Sequence, residues 1–326
     1  MGSEMCIRDS IKELHMSLDP QAAALLKSME ESDAPPFHEC TPEEARVMYD
    51  KGSELVRGEP PEPHSLESIK IPGQAGPIDA WVYKPSEDKG LPILVFFHGG
   101  GFVFGSLKSH DTVCRSLCME AGCIVVAIDY RLAPENKYPA ALDDAWDATQ
   151  WIASHADALG GDPNRLAVGG DSAGGCLTAA VTLLAKESGL PKICKQLLIY
   201  PCTDITRSYE SHKTFAEGYR LTSDLLDWFY GHYFSEQDNI RHWKASPLFS
   251  GDLANLPSAF IISAGYDPLQ DEAKAYAKKL TEAGVKTKLT HYDGMLHGFI
   301  TMPGVLDKAS EALTECASEL KLSFES

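Results

Sequence analysis

Short apolar runs recur along this chain, and most show no alternation between hydrophobic and polar positions. Ile93 to Phe97, Ile124 to Ile128, Arg165 to Gly169, Gln196 to Tyr200, Ala259 to Ser263 and Thr287 to His291 read as strands. Helical stretches lie near 109–121, 138–156, 173–187, 268–283 and 305–320. An apolar strand without alternation is buried on both faces, so the expected sheet is mainly parallel and sandwiched by helices. Two earlier runs, Ser65 to Ile71 and Pro77 to Tyr83, are joined by a Gly-containing turn. They read as an antiparallel start and bring the expected sheet to eight strands.

Two segments depart from this rhythm. Residues 11–58 read as helical, with an apolar patch at Ala22 to Leu26 and Thr41 placed to cap a helix begun by Pro42. Gly58-Glu-Pro-Pro-Glu-Pro63 ends that region as a stiff linker. Residues 204–245 are rich in aromatics, among them Phe215, Tyr219, Trp228, Phe229 and Tyr230, and read as helical from Thr222 onward. An insertion of that size is expected to fold over something. The expected plan is one α/β unit from 59–203 and 246–326, covered by 11–58 and 204–245. The first ten residues, MGSEMCIRDS, resemble an expression start joined to translated adapter read-through, and Met16 is a candidate native start.

At 326 residues there is room for one large domain with an insertion, and 44% hydrophobic with 23% charged residues suits a sizeable core. The net charge of −18 argues against nucleic acid or an anionic membrane as partner, since phosphate binding needs clustered Lys and Arg. The longest uninterrupted apolar run, Cys123 to Ile128, is too short for a membrane span or a signal-peptide core. The nine cysteines include no C-x-x-C pair. Cys114, Cys118 and Cys123 come closest to a cluster, but they read as core filling rather than metal ligands. Reduced thiols fit a cytoplasmic location.

Chemistry enters at Gly170-Asp-Ser-Ala-Gly174, a G-x-S-x-G placed between the strand ending at Gly169 and a helix-forming run. Glycines on either side let the chain turn sharply and hold Ser172 exposed at a helix N-terminus. A serine nucleophile needs a base, an acid that orients the base, and donors for an oxyanion. His98-Gly-Gly-Gly101 follows a strand and offers bare backbone amides, so the expected donors are the N–H groups of Gly100, Gly101 and Ala173. The expected base is His297, in a loop after the last strand. His291 competes from within a strand, His98 from the glycine loop, and His212, His232 and His242 from the insertion. The acid should fall between serine and histidine. Asp267 ranks first, ahead of Asp271, with Asp204 and Asp252 distant; Asp271 and Glu272 read as favouring a helix N-terminus. Phe102, Phe104, Tyr200, Phe215 and Tyr219 are candidate substrate-binding residues.

Taken together these motifs resemble the hormone-sensitive-lipase branch of the α/β-hydrolases, the bacterial family IV esterases, in its GDSAG subgroup. The resemblance rests on His98-Gly-Gly-Gly101, Asp129-Tyr-Arg-Leu-Ala-Pro-Glu135 with Tyr138-Pro-Ala140, Gly170-Asp-Ser-Ala-Gly-Gly175, Asp267-Pro-Leu and His297-Gly-Phe299, in family order. It implies an α/β-hydrolase fold with a helical cap, and a cofactor-free, metal-free hydrolase acting on small carboxylic esters, usually with short acyl chains. Amide, lactone or thioester cleavage by the same triad is the alternative, and a non-catalytic binding module the remote one. Relatives often dimerise through the sheet edge near the last strand, so a homodimer is a candidate assembly. Gln270 stands where the family often has arginine, which removes an expected surface ion pair. Arg131 is expected to pin its loop through neighbouring carboxylates rather than to touch substrate.

Overall fold

A computed structural model describes residues 18–325. The expected foreign start at 1–10 and Met16 therefore lie outside the described residues. One eight-stranded sheet forms the centre, in the order β1-β2-β4-β3-β5-β6-β7-β8. Its strands are β1 Ser65–Gly73, β2 Gly76–Lys84, β3 Leu91–Phe97, β4 Ile124–Asp129, β5 Gly161–Asp171, β6 Lys195–Ile199, β7 Ser258–Tyr266 and β8 Thr287–Leu296. The pairings β1·β2 and β2·β4 are antiparallel and every other pairing is parallel.

Burial on both faces explains why the strands lack alternation. Ile93, Val95 and Phe97 of β3 join a core with the helices α4 (Ala140–Ser154), α5 (Ala156–Leu159) and α6 (Ala173–Ser188). Leu94 and Phe96 between them face the other way, into a core with α3 (Asp111–Ala121) and α10 (Asp307–Phe324). A third cluster packs α9 (Gln270–Glu282) on β7 through Ile261, Ala273, Tyr276 and Leu280. Neither face is left to water, so neither needs polar residues. β5 and β8 run longer than the apolar runs predict: Gly161 pairs with Leu91, and β8 continues past a register shift to pair Leu296 with Tyr266.

Both departing segments lie outside the sheet. The N-terminal one holds α1 (Pro20–Glu30) and α2 (Pro42–Val56). Thr41 caps α2 in a reciprocal capping box with Glu44, as its sequence suggests. The insertion holds α7 (Ser211–Thr214) and α8 (Ser223–Tyr233), and Thr222 accepts from the Leu225 amide at the start of α8. α2 and α8 meet over the loop after β3: Tyr49 stacks on Phe104 at 4.4 Å and Phe229 meets it edge-on at 4.9 Å.

Candidate active site

Parallel neighbours put their following loops side by side. β5 lies between β3 and β6, and in register Phe97 faces Gly170 while Asp171 faces Ile199. The glycine loop after β3 and the serine turn after β5 are therefore adjacent by construction of the sheet. Ser172 sits in that turn with φ 55° and ψ −116°, a backbone region that a non-glycine residue enters only at a cost. The turn closes tightly: a Cβ at Gly174 would collide with the Phe97 carbonyl oxygen, and one at Gly170 would meet both that oxygen and Gly174. The Ser172 amide donates to the Ile199 carbonyl at 2.9 Å, and the Ser172 carbonyl accepts from the Cys176 and Cys202 amides. The sharp turn is held from below, and the side chain is left facing a cavity.

His297 follows β8 and Asp267 follows β7, so both reach the same edge of the sheet. The Ser172 hydroxyl lies 2.8 Å from His297 Nε2, and His297 Nδ1 lies 2.7 Å from Asp267 Oδ2. Asp267 is fully buried, and its other oxygen accepts the Leu269 amide at 2.8 Å. That pattern fixes the donor role of Nδ1 and leaves Nε2 as an acceptor for the serine proton.

Gly100 and Gly101 adopt φ values of +119° and +60°, and with Ala173 they line the cavity beside Ser172. Ala173 opens α6, where a first-turn amide has no intrahelical acceptor. The loop is braced by a buried polar group. Asp171 Oδ1 accepts the Gly99 amide at 2.8 Å and faces His110 Nε2 at 3.1 Å. Burial alone would raise the Asp171 carboxyl, yet His110 beside it holds it below its ordinary range. His98 donates from Nδ1 to the Gly99 carbonyl at 2.7 Å, and its carbonyl accepts the Tyr130 hydroxyl at 2.7 Å. Burial and then His110 push His98 down to about 3, so it is neutral. Arg131 pairs with the buried Asp144 of α4 at 2.8 Å, which anchors the segment that carries Tyr130.

The remaining candidates separate cleanly. Phe102 and Phe104 line the cavity, with Phe102 stacked on Tyr233 at 4.0 Å. Tyr200 is buried behind His297, with ring centroids 4.7 Å apart, and is not part of the cavity wall. Phe215 and Tyr219 are displaced from the expected role: they pack on each other and on Tyr266, outside the cavity lining. Competing acids and bases are engaged elsewhere. Asp271 accepts the Ser211 amide, Asp252 pairs with Lys186, and Asp204 accepts from Thr206 and Ser208. His291 contacts Ser263, His212 contacts Glu272, His232 packs on Trp228, and His242 on Trp243. Glu272 is a correction, because it does more than complement a helix end. It is fully buried and bridges 69 residues in sequence to the Thr203 amide. Gln270 is also buried rather than on the surface, donating to the Gly265 carbonyl at 2.8 Å.

Sequence reasoning misses most of the cavity roof. Leu221, Leu225, Leu226, Phe229 and Tyr230 line it from the insertion, with Phe37 and Tyr49 from the N-terminal piece and Arg220 as a cation. Within α8 the spacing 225, 226, 229, 230 is one face of a helix and is the signal that could have found those four; Leu221 precedes the helix and carries no such signal. Among the described residues no group of His, Cys, Asp or Glu is placed to hold a metal ion, and no helix is long and apolar enough to cross a membrane. Cys114, Cys118 and Cys123 are buried free thiols.

Fold and site together define an α/β-hydrolase in which a serine at a tight strand-to-helix turn meets a histidine and a buried aspartate. A family profile described as alpha/beta hydrolase fold matches residues 94–301. The ethyl acetate hydrolase of Pseudomonas putida is 36% identical over 315 residues, covering 94% of this chain and 99% of that one. The esterase LipI of Mycobacterium tuberculosis is 40% identical over 294 residues, covering 86% and 89%. An ester hydrolase from the metagenome of Lake Arreo, solved with a derivative of bipyridine phosphonate, superposes with a TM-score of 0.92 at 39% identity, covering 95% and 100%. The chain belongs to the α/β-hydrolase family, in its hormone-sensitive-lipase-like, family IV carboxylesterase branch.

Proposed function

We propose that this carboxylic ester hydrolase is a GDSAG-subgroup serine carboxylesterase cleaving short- to medium-chain esters through an acyl-enzyme on Ser172. The observation that carries the reading is the unbroken relay from Ser172 Oγ to His297 Nε2 at 2.8 Å and from His297 Nδ1 to Asp267 at 2.7 Å. Ser172 attacks the ester carbonyl while His297 takes its proton, and Asp267 holds the imidazole in the required tautomer. The Gly100, Gly101 and Ala173 amides receive the oxyanion, each such donor being worth about 2.7–4 kcal/mol. His297 then returns the proton to the departing alcohol. Water, deprotonated by the same His297, releases the acid and restores Ser172. The N-terminal helices and 204–245 act as the two parts of a cap, whose apolar residues over Ser172 suit an acyl chain and exclude water.

The test is hydrolysis of p-nitrophenyl butyrate together with labelling by a fluorophosphonate. Wild-type protein should hydrolyse the ester and carry one label on Ser172, and Ser172→Ala should lose both. Activity retained by Ser172→Ala, or a wild-type protein that neither reacts nor labels, would overturn the reading.

A further inference from the structure

The cavity over Ser172 is mainly apolar, and Arg220, just before α8, brings a cation into it. Its guanidinium rests on the turn that carries His297: Nη1 donates to the His297 carbonyl oxygen at 3.3 Å. Gly298 makes the space, because a Cβ there would collide with that same Nη1. The neighbouring acceptors are neutral. Besides the His297 carbonyl there is the Tyr49 hydroxyl, whose phenol burial keeps above its ordinary range even with Arg220 nearby. The site's two carboxylates are engaged elsewhere, Asp267 with His297 and Asp171 with His110 and the Gly99 amide. Among the described residues no carboxylate pairs with Arg220. Arg220 is half-buried, so its guanidinium is partly desolvated against an apolar cavity with no carboxylate partner among the described residues, and an anion on the substrate would supply that partner.

We infer that Arg220 is a specificity-determining residue that receives a carboxylate on the alcohol part of the substrate. The inference rests on the ester-hydrolase reading above and adds the substrate's charge to it. The side follows from the route of the proton. His297 Nε2 protonates the departing alcohol oxygen, so the alcohol leaves beside His297, against whose backbone Arg220 docks. A planar guanidinium offers paired donors that match a carboxylate, which an ammonium does not. The overall charge of −18 opposes approach of an anion. Salt screens that repulsion beyond about 8 Å, whereas contact with Arg220 is made well inside that range.

The experiment compares ω-acetoxy carboxylates having two to four methylenes with the matching ω-acetoxy amides, which keep the shape and lose the charge. Acetate release gives kcat/KM for each, and the quantity read is the ratio of anionic to neutral on one enzyme. Any loss of active fraction in a variant cancels in that ratio. The wild-type ratio at the best-fitting length should exceed one. Arg220→Met should lower it about tenfold to a hundredfold, with Arg220→Lys in between. A wild-type ratio at or below one at every length overturns the assignment, as does a fall smaller than about tenfold in Arg220→Met. Either failure leaves the ester-hydrolase reading intact, which fails only if wild-type protein cleaves neither series.

Discussion

Replacing Glu272 with alanine should destabilise the junction between α9 and residues 203–212. Glu272 is fully buried on the first turn of α9, just after the segment that carries Asp267. One carboxylate oxygen accepts the amides of Thr203 at 2.6 Å and Asp204 at 3.1 Å, and the other meets His212 Nε2 at 2.8 Å. One side chain thus ties the chain leaving β6, the short helix α7 and the start of α9. Burial pushes the Glu272 carboxyl up, against the pull of His212 and the two amides. Glu272→Ala orphans three buried donors. At about 1–3 kcal/mol each they would cost more than a typical broken buried pair, but losing a buried carboxylate returns part of its desolvation energy. The net cost is about 3–5 kcal/mol. An unfolding entropy near 2.1 cal/mol/K per residue gives about 0.7 kcal/mol/K for a chain of this size, so Tm should fall by about 4–7 °C. Differential scanning fluorimetry measures this directly. Glu272→Gln keeps an acceptor for the two amides and should lose less than half as much. A fall below about 2 °C for the alanine variant, or equal losses for both, would refute the carboxylate's role as a tie.

The folded protein holds His98 neutral down to about 3, whereas an unfolded chain protonates it near 6.5. Between those values the unfolded state binds the extra proton, so stability rises with pH there and is lost on acidification from about 6.5 toward 3. His98→Gln should flatten the slope of Tm against pH in that window, and unchanged slopes would exclude His98 as a source. Phe229 lies directly over Gly101 in the cavity, where a Cβ on Gly101 would strike its ring, while Phe215 packs on Tyr266 outside it. With a panel of p-nitrophenyl esters, Phe229→Ala should shift preference toward longer acyl chains and Phe215→Ala should not; the reverse pattern would place the cavity wall on the wrong side.

What could be read from the sequence, and what could not, divides along a physical line. Strand positions were legible because two-sided burial writes itself into every residue of Ile93–Phe97 and Ile124–Ile128, whatever they pack against. The motif residues were legible for a different reason. Tight loops need glycine locally, as at Gly170 and Gly174, and a parallel sheet then delivers the loops after β3, β5, β7 and β8 to one edge without any further instruction. The roof over the serine has no such rule. Where the insertion docks depends on side chains meeting across long stretches of chain, and large aromatics alone point the wrong way: Phe215 and Tyr219 pack outward while smaller Leu225 and Leu226 face in. Helical spacing from Leu225 to Tyr230 carried that information, and residue size did not. Polar residues show the same limit more sharply. Glu272 and Gln270 read locally as helix-end or surface residues, because the amides and carbonyl that bury them come from distant or folded-back backbone. Arg220 is the extreme case, since only the absence of a carboxylate partner among the described residues turns an ordinary loop arginine into a candidate for recognising one.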